Sequence, residues 1–344
     1  MRKRLRITGG LWLLVALVIS TWSKEHSPVL DFRLPPDFGS FAFYSPDGET
    51  IMAFSEQPES GMVALDFWSA ADGHKIRSAV LYPSRITRAI LSPDGQFLIT
   101  RHYDRFIRVT DLRSETVETR FQSSGRIDDE IAYSPQQDVI ATTFSGGVAI
   151  WDLNTGTQIK QFHDEFNRSF SNIVFNPDGD YLAYAGSEYT DSKLCLWKVA
   201  SDQDWQCIHF SDGIFSLAWS PDGQYIALGG SGRVNIWDVR QQKVVRQLPT
   251  AGFFVIGYIG TINFSPDGKF LAAAGSDTYW VAIWDTRDWE RPIQFGDCGT
   301  APCGYSEAVY NPNGRSILIE GGDRWESFTE QWSLPKFLQA ESTR

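Results

Sequence analysis

Catalysis needs a nucleophile or base held beside its partner, so histidines, cysteines and paired acids are the first residues to weigh. The five histidines (His26, His74, His102, His163 and His209) fall in separate segments, and no two stand at metal-ligand spacing. No Gly-x-Ser-x-Gly elbow, His-Glu-x-x-His pair or phosphate-binding glycine loop occurs. The acidic runs Asp128-Asp129-Glu130 and Asp202-Gln203-Asp204 match no calcium-loop pattern and read as solvated charge. These residues give no catalytic set, no metal site and no cofactor. An enzyme is disfavoured.

Two other kinds of residue carry chemistry. Cys298 and Cys303 bracket Gly-Thr-Ala-Pro, a small loop that a disulfide closes, and Cys195 and Cys207 form a second local pair. The remaining signal is aromatic. The run Gly252-Phe253-Phe254-Val255-Ile256-Gly257-Tyr258-Ile259, with Tyr279, Trp280, Tyr305 and Trp325, groups large side chains in segments that join strands. Aromatic residues of this kind dominate interface energetics, so Phe253, Phe254, Tyr258, Tyr279, Trp280, Tyr305 and Trp325 are the candidate partner-binding residues. The competing reading is that Phe253 to Ile259 fill space between packed elements.

The elements that position these residues repeat. Seven copies of an apolar run, a proline turn and a second apolar run are centred on Pro46, Pro93, Pro135, Pro177, Pro221, Pro266 and Pro312. Five read Ser-Pro-Asp-Gly or Asn-Pro-Asp-Gly, a tight hairpin signal, and the last is Asn311-Pro312-Asn313-Gly314. The third, Ser134-Pro135-Gln136-Gln137, lacks both Asp and Gly and predicts another turn type. A strand-rich period of about 40–50 residues points to propeller blades. Strands such as Tyr225-Ile226-Ala227-Leu228 are apolar on both sides, as sheets stacked face to face require, and no amphipathic helix is found.

After each proline comes a second landmark: Ile150-Trp151-Asp152, Ile236-Trp237-Asp238 and Ile283-Trp284-Asp285, with weaker versions at Trp68, Thr110, Trp197 and Trp332. From about residue 28 to 335 the chain resembles the WD-repeat family, whose blades carry a Trp-Asp pair at the end of the third strand. The Gly-His pair of that family is missing from most units, and its turn Asp has candidates at Asp104, Asp191, Asp277 and Asp323. A looser resemblance is to TolB-like propellers, which also use Ser-Pro-Asp-Gly hairpins. The resemblance implies an all-β, seven-bladed propeller of four-stranded antiparallel blades, with variable loops on one binding face. The third-strand Trp residues read as blade core.

Unit seven has no outer strand of its own, because Trp332 lies close to the end and Pro335 stops its strand. The unassigned run Val29–Leu34 is therefore expected to complete the last blade and close the ring. In unit four, folding about Ser201 sets Cys195 on the third strand opposite Cys207 on the fourth.

The formal charge is −11, and the first six residues hold four of the basic groups, so the rest is more acidic still. Such a surface disfavours nucleic acid. The basic start and the apolar run Leu11–Ile19 resemble an export signal. The 16 residues from Ile7 to Trp22 are short for the roughly 17–25 of a membrane span. The expected organisation is thus 1–23 a signal peptide or N-terminal anchor, 28–338 the propeller and 339–344 a tail. The expected location is extracytoplasmic, with membrane contact only through the N-terminal segment. The function expected is a monomeric, non-catalytic scaffold for another protein. The alternatives are a hydrolase or lyase with its site in the central channel, or a TolB-like envelope component. Two or more titratable groups converging on the channel would favour the enzyme; a flat acidic or aromatic face would favour binding.

Overall fold

Ser220-Pro221-Asp222-Gly223 folds back because each residue serves the turn. Proline presets φ at the first corner, and Gly223 takes φ +68°, where an L side chain is disfavoured. Gly223 N–H donates to Ser220 O at 2.8 Å. Ser220 Oγ donates to Asp222 Oδ1 at 2.6 Å and accepts Tyr225 N–H at 2.9 Å. The same wiring holds Ser92 to Asp94 and Ser265 to Asp267. In the third unit no residue of the turn has positive φ, and Val139 N–H donates to Gln137 O at 2.7 Å. Losing Asp and Gly does change the turn.

These details come from a computed structural model that describes residues 28–35, 38–57, 59–122, 130–144, 147–163, 170–188, 191–201, 205–249, 258–276, 281–290, 292–295, 304–322 and 327–336. The strands form seven four-stranded antiparallel sheets, and no α-helix occurs among the described residues. Blade 5 is typical: inner strand Ser216–Trp219, second Tyr225–Gly229, third Arg233–Asp238 and outer Lys243–Pro249. The chain is a seven-bladed β-propeller.

Its core lies between the blades. Seven apolar clusters each join side chains of two neighbours, and blade 3's second strand, Val139–Phe144, is buried along its whole length. Trp68, Trp151, Trp197, Trp237 and Trp284 are buried within this packing, as the repeat pattern requires. Burying such a side chain contributes about 1.5–3 kcal/mol. The outer edges are interrupted: blades 1, 2, 3 and 5 break register at the same point, opposite the third-strand landmark. Bulges at that place hinder strand addition by other chains.

The ring closes as the strand count demands. Val29–Arg33 pairs antiparallel with Ser327–Ser333, the third strand of blade 7, placing Leu30 opposite Trp332 and Arg33 opposite Glu330. Asp31 accepts Gln331 Nε2 at 3.0 Å and Ser333 Oγ at 2.9 Å. Gln331 also donates to Ala70 O and accepts from Tyr44 Oη, both in blade 1. Leu34, 1% exposed, packs into the cluster shared by blades 7 and 1.

Candidate interaction surface

Every inner strand starts on one face of the disc and runs to its proline turn on the other. Tyr258 begins the inner strand of blade 6 (Tyr258–Phe264) and is 44% exposed. Its ring tilts against Phe215 of blade 5 with centroids 4.4 Å apart, and its backbone bridges to Ser231. Tyr305, second in the inner strand Gly304–Tyr310 of blade 7, starts on the same face. Phe253, Phe254, Tyr279, Trp280 and Trp325 lie outside the described residues, as do Cys298 and Cys303. The strand ends flanking 277–280 and 323–326 open onto this face.

Phe215 also lines the half of the central channel nearest these loops, a space of about 540 Å³ holding Arg88, Glu130, Glu307 and Glu320. Glu130 pairs with Arg88, whose Nε donates at 2.8 Å. The reading of Glu130 as solvated charge is therefore corrected: it sits on the channel wall, bonded across two blades. Glu320 accepts the backbone N–H groups of Phe41 (2.8 Å) and Ala42. Phe41 has φ +94°, a strained value for an aromatic residue, at a bulge that turns both amides toward the carboxylate. Glu307 lies directly opposite Glu320 across the strands. Burial holds both carboxyls above their ordinary range; Glu130's charge adds to it at Glu307, and Glu307's at Glu320. The channel half near the proline turns is a separate space of about 550 Å³, walled by apolar side chains and prolines.

Titratable groups thus converge on the channel, and two of the three carboxylates are engaged by neighbours. Glu320 is engaged by the amides of Phe41 and Ala42, and Glu130 by Arg88. His102 is buried in blade 2 against Thr100 and the Ser84 carbonyl, away from the channel wall. Among the described residues no group of three or more His, Cys, Asp or Glu is arranged to hold a metal. Sequence reading missed Arg88, Glu307 and Glu320. The available signal was charge on the otherwise apolar inner and second strands of a propeller.

Cys195 and Cys207 face each other in register on the third and outer strands of blade 4, and their sulfurs are bonded.

Comparison with known proteins gives a family match over part of the chain. The family model described as WD domain, G-beta repeat matches residues 156–198, 206–238 and 255–285. The chain is similar to Pre-mRNA-processing factor 19 homolog 2 of Arabidopsis thaliana, 26% identical over 102 residues, covering 30% of this chain and 19% of that protein. It is similar to Target of rapamycin complex subunit wat1 of Schizosaccharomyces pombe, 21% identical over 122 residues, covering 36% of this chain and 38% of that protein. The U3 small nucleolar RNA-associated protein 18 homolog of Homo sapiens is 21% identical over 244 residues, covering 67% of this chain and 43% of its own length. The matches span less than half the length of each of these relatives.

These relatives overturn the extracytoplasmic location expected above. By name they belong to pre-mRNA processing, a small nucleolar RNA and a target-of-rapamycin complex, and none is an exported protein by that description. Residues 1–23, on which the export reading rested, lie outside the described residues, and no described helix is long and apolar enough to cross a membrane.

Proposed function

Since the chain is a seven-bladed propeller built of WD40 repeats, we propose that it is a non-catalytic scaffold that holds another protein against its loop face. The seven described blades act as one rigid support in this mechanism. The observation that carries this reading is the Tyr258–Phe215 pair, which leaves an aromatic surface at the channel mouth beside the charged rim of Arg88, Glu130 and Glu307. Large apolar rings edged by charge are the usual composition of a binding hot spot. Phe253, Phe254, Tyr279, Trp280, Tyr305 and Trp325 extend that surface in this proposal. The relatives named as a processing factor and a complex subunit fit a protein that works by assembly.

The test is recovery of partners by affinity purification, comparing wild type with Tyr258→Ala and with Phe253→Ala, Phe254→Ala and Trp325→Ala combined. Loss of the same partner in both variants, with unchanged melting temperature, is expected. Each hot-spot truncation should cost about 2 kcal/mol or more, roughly thirtyfold in Kd. Full recovery in both removes the patch from the proposal.

A further inference from the structure

The opposite face, formed by the proline turns and the turns after the third strands, carries a recess between blades 5 and 6. Its volume is about 370 Å³, inside the roughly 300–1,000 Å³ typical of small-ligand sites. Tyr225 and Asp222 line it from blade 5; Phe264, Asp267 and Trp289 line it from blade 6. The Asp267 side chain is 10% exposed, with Oδ1 held by Ser265 Oγ and Lys269 N–H, while Lys269 Nζ lies 3.5 Å from Oδ2. Asp222 is exposed at the rim, and its Oδ1 accepts Ser220 Oγ and Gln224 N–H. Two carboxylates therefore stand at the recess, with Lys269 beside Asp267 and the charge of Arg287 also near it.

Trp289 is an unexpected residue at its position. Its φ is +61°, as the turn geometry demands: the matching positions of blades 1 and 3 are Gly73 and Gly156, with φ +70° and +69°. Blades 2 and 5 place Glu115 and Gln242 there. Glycine takes this conformation freely, whereas an L residue with a bulky side chain is strained by about 1 kcal/mol or more. Blade 6 carries that strain and so gains an indole against the recess.

We propose that this recess binds an alkylammonium cation. Aromatic faces attract cations through the ring quadrupole, most strongly when the cation is weakly hydrated, and the carboxylates add a direct Coulomb attraction. The same carboxylates repel phosphates and other anions. A hard metal ion would need more oxygen ligands than two carboxylates and their turns supply. The cation is either a free small molecule or the ammonium of a lysine, methylated or not, on a partner protein. The second source rests on the scaffold reading; the site itself, on the face away from the aromatic patch, does not.

Calorimetry on the full chain tests the site with choline and with its neutral isostere, in which carbon replaces the quaternary nitrogen. Choline should bind saturably, and the isostere about tenfold more weakly or not at all. Trp289→Gly should weaken choline about tenfold; glycine relieves the strained backbone while the packing of the indole against the core is lost, so a melting scan checks that the variant is folded. Asp222→Asn should also weaken it, by a smaller factor. Peptides carrying lysine or trimethyllysine are then titrated against bound choline. Competition assigns the cation to a protein partner, and choline binding that neither peptide displaces assigns it to a free small molecule. Absence of choline binding, equal binding of the isostere, or unchanged affinity in Trp289→Gly overturns the proposal. Loss of the loop-face partner leaves each of these readouts unaffected, so the two failures are distinguishable.

Discussion

His102 shows what a single buried polar side chain does for blade 2. It is fully buried; Nδ1 donates to the Ser84 carbonyl at 2.9 Å, and Nε2 lies 2.8 Å from the Thr100 hydroxyl. A neutral ring satisfies both contacts. Burial lowers its pKa to about 4, with Arg108's charge adding to that and the Ser84 bond and Asp104 opposing it. An imidazole in the unfolded chain takes up its proton near pH 6.5, so the unfolded state binds more protons in between. Stability should fall as pH drops from about 6.5 toward about 4, and His102→Gln should remove much of that slope in urea midpoints measured across the range. A slope unchanged in the variant would assign the acid sensitivity elsewhere. The sequence established that the histidines stand apart. It could not announce this burial, because the Tyr82 ring that packs on His102, 5.2 Å away, belongs to the blade before.

Turns and strands were the most legible level, because both their signals are local. Pro-Asp-Gly marks the hairpin, and counting strands per unit exposes the missing outer strand of blade 7. Removing residues 28–34 should lower the melting temperature sharply, and Leu34→Ala alone should cost about 2–5 kcal/mol in denaturant midpoints. An unchanged melt in the deletion would refute the seam. The Glu307–Glu320 pair was illegible for the opposite reason. It depends on cross-strand register and on the left-handed turn at Phe41, neither of which has a residue signature. Both carboxyls are pushed up, so the folded state holds protons that the unfolded chain releases first. Their contribution is therefore complete below pH 4.5 and is lost as pH rises from there through the raised values of the folded pair. Glu307→Gln should flatten this decline between those values. An equally steep decline in the variant would show that other groups control it.

At the scale of the whole disc, repetition made the fold readable while concealing the sites. Seven in-phase copies override any single degenerate unit, even Ser134-Pro135-Gln136-Gln137. Functional surfaces arise where copies differ or where two of them meet. The recess beside Trp289 takes its walls from blades 5 and 6, so no window along the chain contains it; the one available cue was a tryptophan where other units place glycine. The N-terminal export pattern misled because a basic and apolar leader says nothing about the repeats that follow it. The seam has a consequence for synthesis on the ribosome. The strand Val29–Arg33 leaves the exit tunnel before any blade is made, yet its partner Ser327–Ser333 follows every other strand of the ring. Until Ser327–Ser333 is made the nascent chain is an open arc with two unprotected ends, and a product truncated before it never loses them. Quality control that senses bare sheet edges would thus recognise copies truncated before that strand.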